Sequence, residues 1–227
     1  MGAETPLLFA CRRAWLLLGM FVLAACAHHQ EKTPSFTASG YIADRGVIRL
    51  WRNDNAAQQS VAILSVYSPY EGDNTTLTRY QFQDNKVRQI TRNQLGSHPQ
   101  TVQIRFDDQG NVIFMQRQQN QIREKLSDDQ LAIYQFEAGQ VLQDSQSLRV
   151  GDVQLKQGSW RDGELYNCSG KAVSAHFDRR SAAWIVARAK RSTRPLGVAW
   201  LDAPEGTQLL LVANESFCHW QPTRNDL

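Results

Sequence analysis

Six cations stand between Arg179 and Arg194: Arg179, Arg180, Arg188, Lys190, Arg191 and Arg194. No acid lies among them, and Trp184 sits in their midst. Guanidinium groups hold phosphate and carboxylate oxygens through paired N–H donors, so such a run is equipped to grip a polyanion. The same composition also suits a solvated strand edge kept basic to discourage edge-to-edge pairing. Other chemistry is sparse. His98, His176 and His219 have no partner at i,i+4 and no C-x-x-C companion, so they read as surface or structural histidines. No G-x-S-x-G elbow, H-E-x-x-H pair or S-x-x-K motif occurs, and Ser169-Gly170-Lys171 lacks the upstream glycine of a phosphate loop. The carboxylate pairs Asp107–Asp108 and Asp128–Asp129 stand where a turn and a helix start favour acids. The sequence therefore assigns no catalytic residue, no metal ligand and no cofactor.

Cysteine chemistry is more definite. Arg12 and Arg13 precede an apolar run from Ala14 to Ala25, which ends in Leu23-Ala24-Ala25-Cys26. A bilayer-spanning helix needs about 20 apolar residues, so this shorter run reads as the core of a signal peptide. Its end resembles the bacterial lipobox, in which the cysteine sulfur takes a diacylglycerol and acyl chains such as palmitate complete the anchor. The competing reading is a plain secretory peptide cut after Ala25, with Cys26 an ordinary thiol. Ala27, where an aspartate would imply retention in the inner membrane, favours transfer to the outer membrane. Arg12–Arg13 supplies the generic positive flank of the general secretory route rather than a twin-arginine signal.

Cys168 and Cys218 are then the two cysteines left for an oxidising compartment, and their expected disulfide closes a loop of roughly 50 residues. The competing reading makes Cys168 a nucleophile, or a metal ligand with His176, Cys218 and His219.

These groups need a scaffold. The 227 residues are 42% hydrophobic and 21% charged, which excludes a collagen, a disordered tail and a disulfide-packed miniprotein. A formal charge of +3 is too small to imply a nucleic-acid partner. The expected organisation is a signal peptide over 1–25, the lipidated Cys26 with a polar tether to residue 35, a first unit over 36–150 and a second over 151–227. His28 and His29 fall in the tether and carry no assigned role.

In the first unit, short alternating segments are separated by turn clusters. Val102, Ile104 and Phe106 alternate with polar neighbours, and Asp107 to Asn111 turns the chain into a returning strand from Val112. Similar segments are Tyr41–Ala43, Val47–Trp51, Val61–Tyr67, Thr75–Phe82 and Val87–Thr91, with breaks at Arg52–Asn55, Pro69–Asn74 and Asp84–Asn85. This is the pattern of an antiparallel meander. Ser127 and Gln130 then match a capping box, and Leu131, Tyr134, Ala138, Val141, Ser145 and Leu148 recur at helical spacing. One amphipathic helix of about five turns is expected, packed on the strands before it.

Composition changes near Val150–Gly151. Of 23 glutamines, 18 lie between Gln58 and Gln146, whereas Trp160, Trp184, Trp200 and Trp220 all follow. The later segments Val153–Gln157, Glu164–Cys168, Ala172–Phe177, Leu196–Leu201, Thr207–Ala213 and Phe217–Trp220 read as strands, with a turn at Ala203 to Gly206. Ala182–Lys190 fits either period. The fold class is thus α+β, mainly antiparallel β: a strand meander with one long amphipathic helix, then a second β-rich unit stapled by Cys168–Cys218.

The lipobox, the glutamine-rich strands, the Ser35-Phe36-Thr37-Ala38-Ser39-Gly40-Tyr41 stretch and the late cysteine pair together resemble the YjaH-type lipoproteins of enteric bacteria. That resemblance spans most of the mature chain, supports the envelope address and implies no activity.

The expectation is a non-enzymatic, periplasm-facing outer-membrane lipoprotein that binds lipopolysaccharide, anionic lipid, peptidoglycan or a partner protein, with no nucleic-acid role. A sheet wrapped around its helix would offer an apolar hollow for an acyl chain. The alternative is a periplasmic hydrolase acting on cell-wall or lipid material, in which a histidine would meet a carboxylate and a hydroxyl.

Overall fold

A computed structural model describes residues 34–149 and 151–227. The signal peptide, Cys26, His28, His29 and most of the tether lie outside the described residues. Eight strands follow one another in a single antiparallel sheet ordered as in the sequence. They are β1 (Phe36–Ala43), β2 (Gly46–Asn55), β3 (Ser60–Pro69), β4 (Thr76–Gln83), β5 (Lys86–Gln94), β6 (Gln100–Phe106), β7 (Val112–Gln119) and β8 (Ile122–Glu124). Their hairpins are short because the turn residues tolerate positive φ: Asp84 and Asn85 lie at 51° and 60°. Two consecutive left-handed residues make the mirror-image turn whose twist matches a hairpin. The expected break at Arg52–Asn55 moves to residues 56–59, because β2 continues paired to β3 as far as Asn55↔Ser60.

Helix α1 (Asp128–Ser147) crosses one face of this sheet. Ser127 caps it through the expected reciprocal bonds with Gln130. Leu50, Ile63, Phe82, Ile90, Val102 and Ile104 meet Tyr134 and Ala138 beneath it. Arg52 reaches up from the sheet to Ser145 Oγ at 2.9 Å, and Arg92 pairs with Glu137 while lying over the Tyr134 ring. α1 is less one-sided than its spacing suggests, since Ile133 and Phe136 project to solvent. The space left along its flank, about 330 Å³, is lined by Tyr41, Tyr67, Thr78, Glu137 and Asp144. Ile48, Val141 and the tyrosine rings share that lining with the hydroxyls and carboxylates.

The second sheet runs β10-β9-β11-β12, from β9 (Gln154–Arg161), β10 (Glu164–Asn167), β11 (Leu196–Ala203) and β12 (Gly206–Ala213). It covers the other face of the first sheet, where Leu155, Ala199, Leu210 and Leu211 pack on Val47, Trp51, Leu64 and Val66. Helix α2 (Arg179–Ala189) lies on its outer side through Ile185, against Leu165, Leu196, Val198 and Trp200. The layers are therefore helix, sheet, sheet, helix. Ala182–Ala189 is helical, and Lys190 is the C-cap. Ala172–Phe177 is not a strand and makes one bridge, Tyr166↔Ala172. Phe217–Trp220 is not a strand either; Cys218–Trp220 forms a 3₁₀ turn. Cys168 and Cys218 form a disulfide, and its 50-residue separation corresponds to about 4 kcal/mol of chain-entropy stabilisation.

Where the second sheet stops, the outer face of β4–β7 is polar. Gln81, Gln89, Arg105 and Phe114 form one cross-strand row, and Thr91, Gln103 and Gln116 another. Four of the 18 glutamines between Gln58 and Gln146 stand in these two rows, and five others lie on α1.

Arg49 is fully buried between the sheets. It donates to Gln157 Oε1 at 2.7 Å and Ser68 Oγ at 2.8 Å, and its guanidinium lies 4.5 Å from the Phe217 ring centre and 5.2 Å from that of Trp220. Burial pushes its pKa down to about 10, and the field of Glu215 opposes that shift. It remains charged at neutral pH. Arg49→Ala should lower stability by about 3 kcal/mol or more, through a cavity and stranded acceptors. Arg49→Met should lose less, because it refills the volume but not the hydrogen bonds. Thermal unfolding should rank Arg above Met above Ala, and a methionine variant as stable as the parent would show that only volume matters.

Candidate functional site

Asp178 starts α2. Its carboxylate accepts from the backbone N–H groups of Arg180 and Ser181 at 2.8 and 3.0 Å and from the Ser181 hydroxyl. Those bonds, the Ser181 hydroxyl first, hold its pKa below the ordinary 3.8. Within the helix Ile185 is the buried residue. A flanking stripe follows from helical spacing: Arg180, Trp184, Ala187 and Arg188 lie along one side, and Arg191 continues it past the helix end.

Arg180, Trp184, Ala187 and Arg188 form one wall of a cleft of about 1180 Å³. The facing wall is the β3–β4 connection, with Pro69, Tyr70, Gly72 and Asp73, and the floor is β12 from Leu209 to Ala213, continuing into Asn214 and Glu215. Trp184 is 57% exposed there. Arg188 also lines a smaller recess beside it with Trp184 and Asn214, and Arg191 lines that recess only. Of the six cations singled out by sequence, the structure thus brings together Arg180, Arg188 and Arg191. Arg179, Lys190 and Arg194 lie outside both linings. Among the described residues none of the six enters an ion pair, and the buried Nε of Arg188 has no hydrogen-bond partner.

Sequence reasoning missed the acidic members. Glu215 is exposed, and its pKa is raised because desolvation outweighs the lowering fields of Arg49 and His219. Its place depends on Gly197, where a Cβ would come within 2.1 Å of the Glu215 carbonyl oxygen. Any side chain on β11 at that point would push the strand-to-turn segment outward. Asp73 is held by the backbone and hydroxyl of Ser97. Neither acid carried a local sequence signal, because each is defined by a partner far along the chain.

His98 does meet a hydroxyl and a carboxylate. Its Nδ1 is 3.1 Å from Ser97 Oγ, and that hydroxyl donates to Asp73 Oδ1 at 3.0 Å. The order is wrong for nucleophile activation, which needs the imidazole between serine and acid so that the base can take the hydroxyl proton. Here the proton is committed to Asp73, and all three residues are exposed. The contact ties the β3–β4 and β5–β6 loops together. His176 and His219 stand apart from it, and Cys168 and Cys218 are bonded to one another. Among the described residues no three His, Cys, Asp or Glu side chains converge as a metal would require.

Residues 38–223 match the model of a family described as a protein of unknown function, DUF1481. The chain belongs to the DUF1481 family. It is 41% identical over 223 residues to "Uncharacterized protein YjaH" of Escherichia coli (strain K12), covering 97% of this chain and 95% of that protein. No solved structure matches the chain. The family match takes in both helices, every residue of the cleft and both sheets apart from Phe36 and Thr37 of β1.

The Asp178 cap sets how α2 responds to acid. A depressed folded pKa means that its stabilisation is complete above pH 3.8 and is lost as pH falls below it. Amide exchange in the first turn of α2 should therefore accelerate at acid pH beyond the change in intrinsic rate. Asp178→Ala should produce the same loss at neutral pH, whereas Asp178→Asn, which still accepts hydrogen bonds, should retain most of the protection.

Proposed function

We propose that this protein is a non-enzymatic, lipid-anchored protein of the outer membrane, facing the periplasm, whose cleft beside α2 holds an anionic envelope component or partner. The observation that carries this reading is the convergence of Arg180 and Arg188 on the exposed Trp184 in one large cleft, with Arg191 in the recess that shares Trp184 and Arg188. Guanidinium groups grip phosphate or carboxylate oxygens in pairs, and a neighbouring indole adds apolar contact to whatever carries the charge. The envelope offers such anions in lipopolysaccharide, anionic lipids and peptidoglycan.

The anchor belongs to the same reading. Cleavage before Cys26 removes residues 1–25 and leaves the sulfur for lipid, while the polar tether joins the lipid to the fold. Among the described residues no helix is long and apolar enough to cross a membrane.

Two measurements test this. Purified mature protein should bind lipopolysaccharide or phosphatidylglycerol vesicles more tightly at low salt than at high salt, as screened contacts require. Changing Arg180, Arg188 and Arg191 together to Gln should weaken binding about tenfold or more, roughly 1.4 kcal/mol, with little change in melting temperature. Equal binding by the triple variant would remove the cleft from consideration. For the anchor, Cys26→Ser should abolish palmitate labelling and move the protein out of the detergent-extracted membrane fraction. Unchanged labelling would exclude Cys26 as the lipid site.

A further inference from the structure

We infer that the occupant of the cleft is an extended acidic polypeptide segment that pairs with the free edge of β12 as an added strand. This rests on reading the cleft as an anion site and goes further, because it names the class of partner.

Among the described residues, β12 ends the four-stranded sheet and pairs only with β11. Leu209 to Ala213 line the cleft as an unbroken run. Side chains of a strand alternate between its two faces, and these residues divide accordingly. Leu209 and Val212 belong to the cluster under α2, while Leu210, Leu211 and Ala213 belong to the cluster between the sheets. A cleft that touches residues of both faces meets the strand edge-on, with its unpaired N–H and C=O groups toward the opening. Among the described residues, Leu209–Ala213 make no backbone hydrogen bond beyond their own sheet. Edges are normally blunted by charge, proline, irregularity or cover. This stretch has no charge and no proline, and its one irregularity is a bulge that leaves Leu210 unpaired opposite Ala199 and Trp200.

The walls define what can add there. Strand addition supplies affinity through main-chain bonds and specificity through alternate side chains. One set of an added strand's side chains would point to the α2 wall, where Arg180, Trp184 and Arg188 stand and where the Arg188 Nε has no partner. The other set would point to Pro69 and Tyr70. Charge complementarity therefore favours acids on the first set and apolar residues on the second. At about 1180 Å³ the cleft also exceeds the roughly 300–1,000 Å³ of sites built for small molecules. A lipid phosphate would use the arginines and leave the strand edge unpaired.

The test uses the full mature protein and a dye-labelled peptide of alternating Val and Glu, roughly seven residues and about one strand long. Two further peptides carry N-methyl groups on either all the Val amides or all the Glu amides. Only one set of amides can face β12, so one methylated peptide should bind like the parent and the other about tenfold or more weaker. The parent peptide should also slow amide exchange at Leu209–Ala213, and the Arg180, Arg188 and Arg191 to Gln variant should bind it weakly. If both methylated peptides bind like the parent, strand pairing is overturned while the anion site stands. If no peptide binds but lipopolysaccharide or phosphatidylglycerol vesicles do, the polypeptide partner is overturned in favour of a lipid one. If nothing binds, both readings fall.

Discussion

A charged guanidinium sits in the middle of this protein, and among the described residues no carboxylate is bonded to it. Desolvating a cation is expensive unless its hydrogens find acceptors and its faces find polarizable surface. Arg49 meets that demand at both terminal nitrogens and on its faces, from Ser68 on β3, Gln157 on β9, and the Phe217 and Trp220 rings beyond β12, while its Nε has no hydrogen-bond partner. Gln157 in turn donates to the Phe217 carbonyl and the Gln221 side chain. The two sheets must therefore meet in one register, since sliding either would strand buried polar groups.

The same constraint reaches the surface. The segment that brings the Phe217 and Trp220 rings to Arg49 begins at Asn214 and Glu215, which close the floor of the cleft. Its far end is tied through Cys218 to Cys168, beside β9. The cleft floor is thus held by the inter-sheet core and is not a free loop. Glu215 adds the one negative field on Arg49 while facing the opening. An anion arriving there meets the acid as well as the arginines, which favours ligands whose charge lies toward α2.

The two helices serve different ends. α1 is held by a buried apolar seam and by Arg52 and Arg92 from below, as a helix that completes a core should be. α2 is shorter, rests on Ile185 and the Asp178 cap, and turns its arginine stripe outward. A helix with so little buried surface owes its position to the sheet beneath it, and its exposed side is left free to carry charge.

Local features were legible in the sequence because their physics is local. The capping box at Ser127 and Gln130, the turns at Asp84–Asn85 and Ala203–Gly206, the alternating strands and the Cys168–Cys218 pairing each depend on neighbouring residues or on elimination. The basic run was visible too, but only helical spacing selects Arg180, Arg188 and Arg191 from the six. Ala182–Lys190 fits two periods, and burial of Ile185 against the second sheet decided between them. Arg49 lies on the face of β2 that also carries Val47 and Trp51. Alternation says which residues share a face, but it cannot say that a second sheet covers that face. Glu215, the β3–β4 wall and the open edge of β12 were illegible for the same reason. The cleft joins residues near 70, 184 and 211, and periodicity carries no record of which distant segment a face will meet.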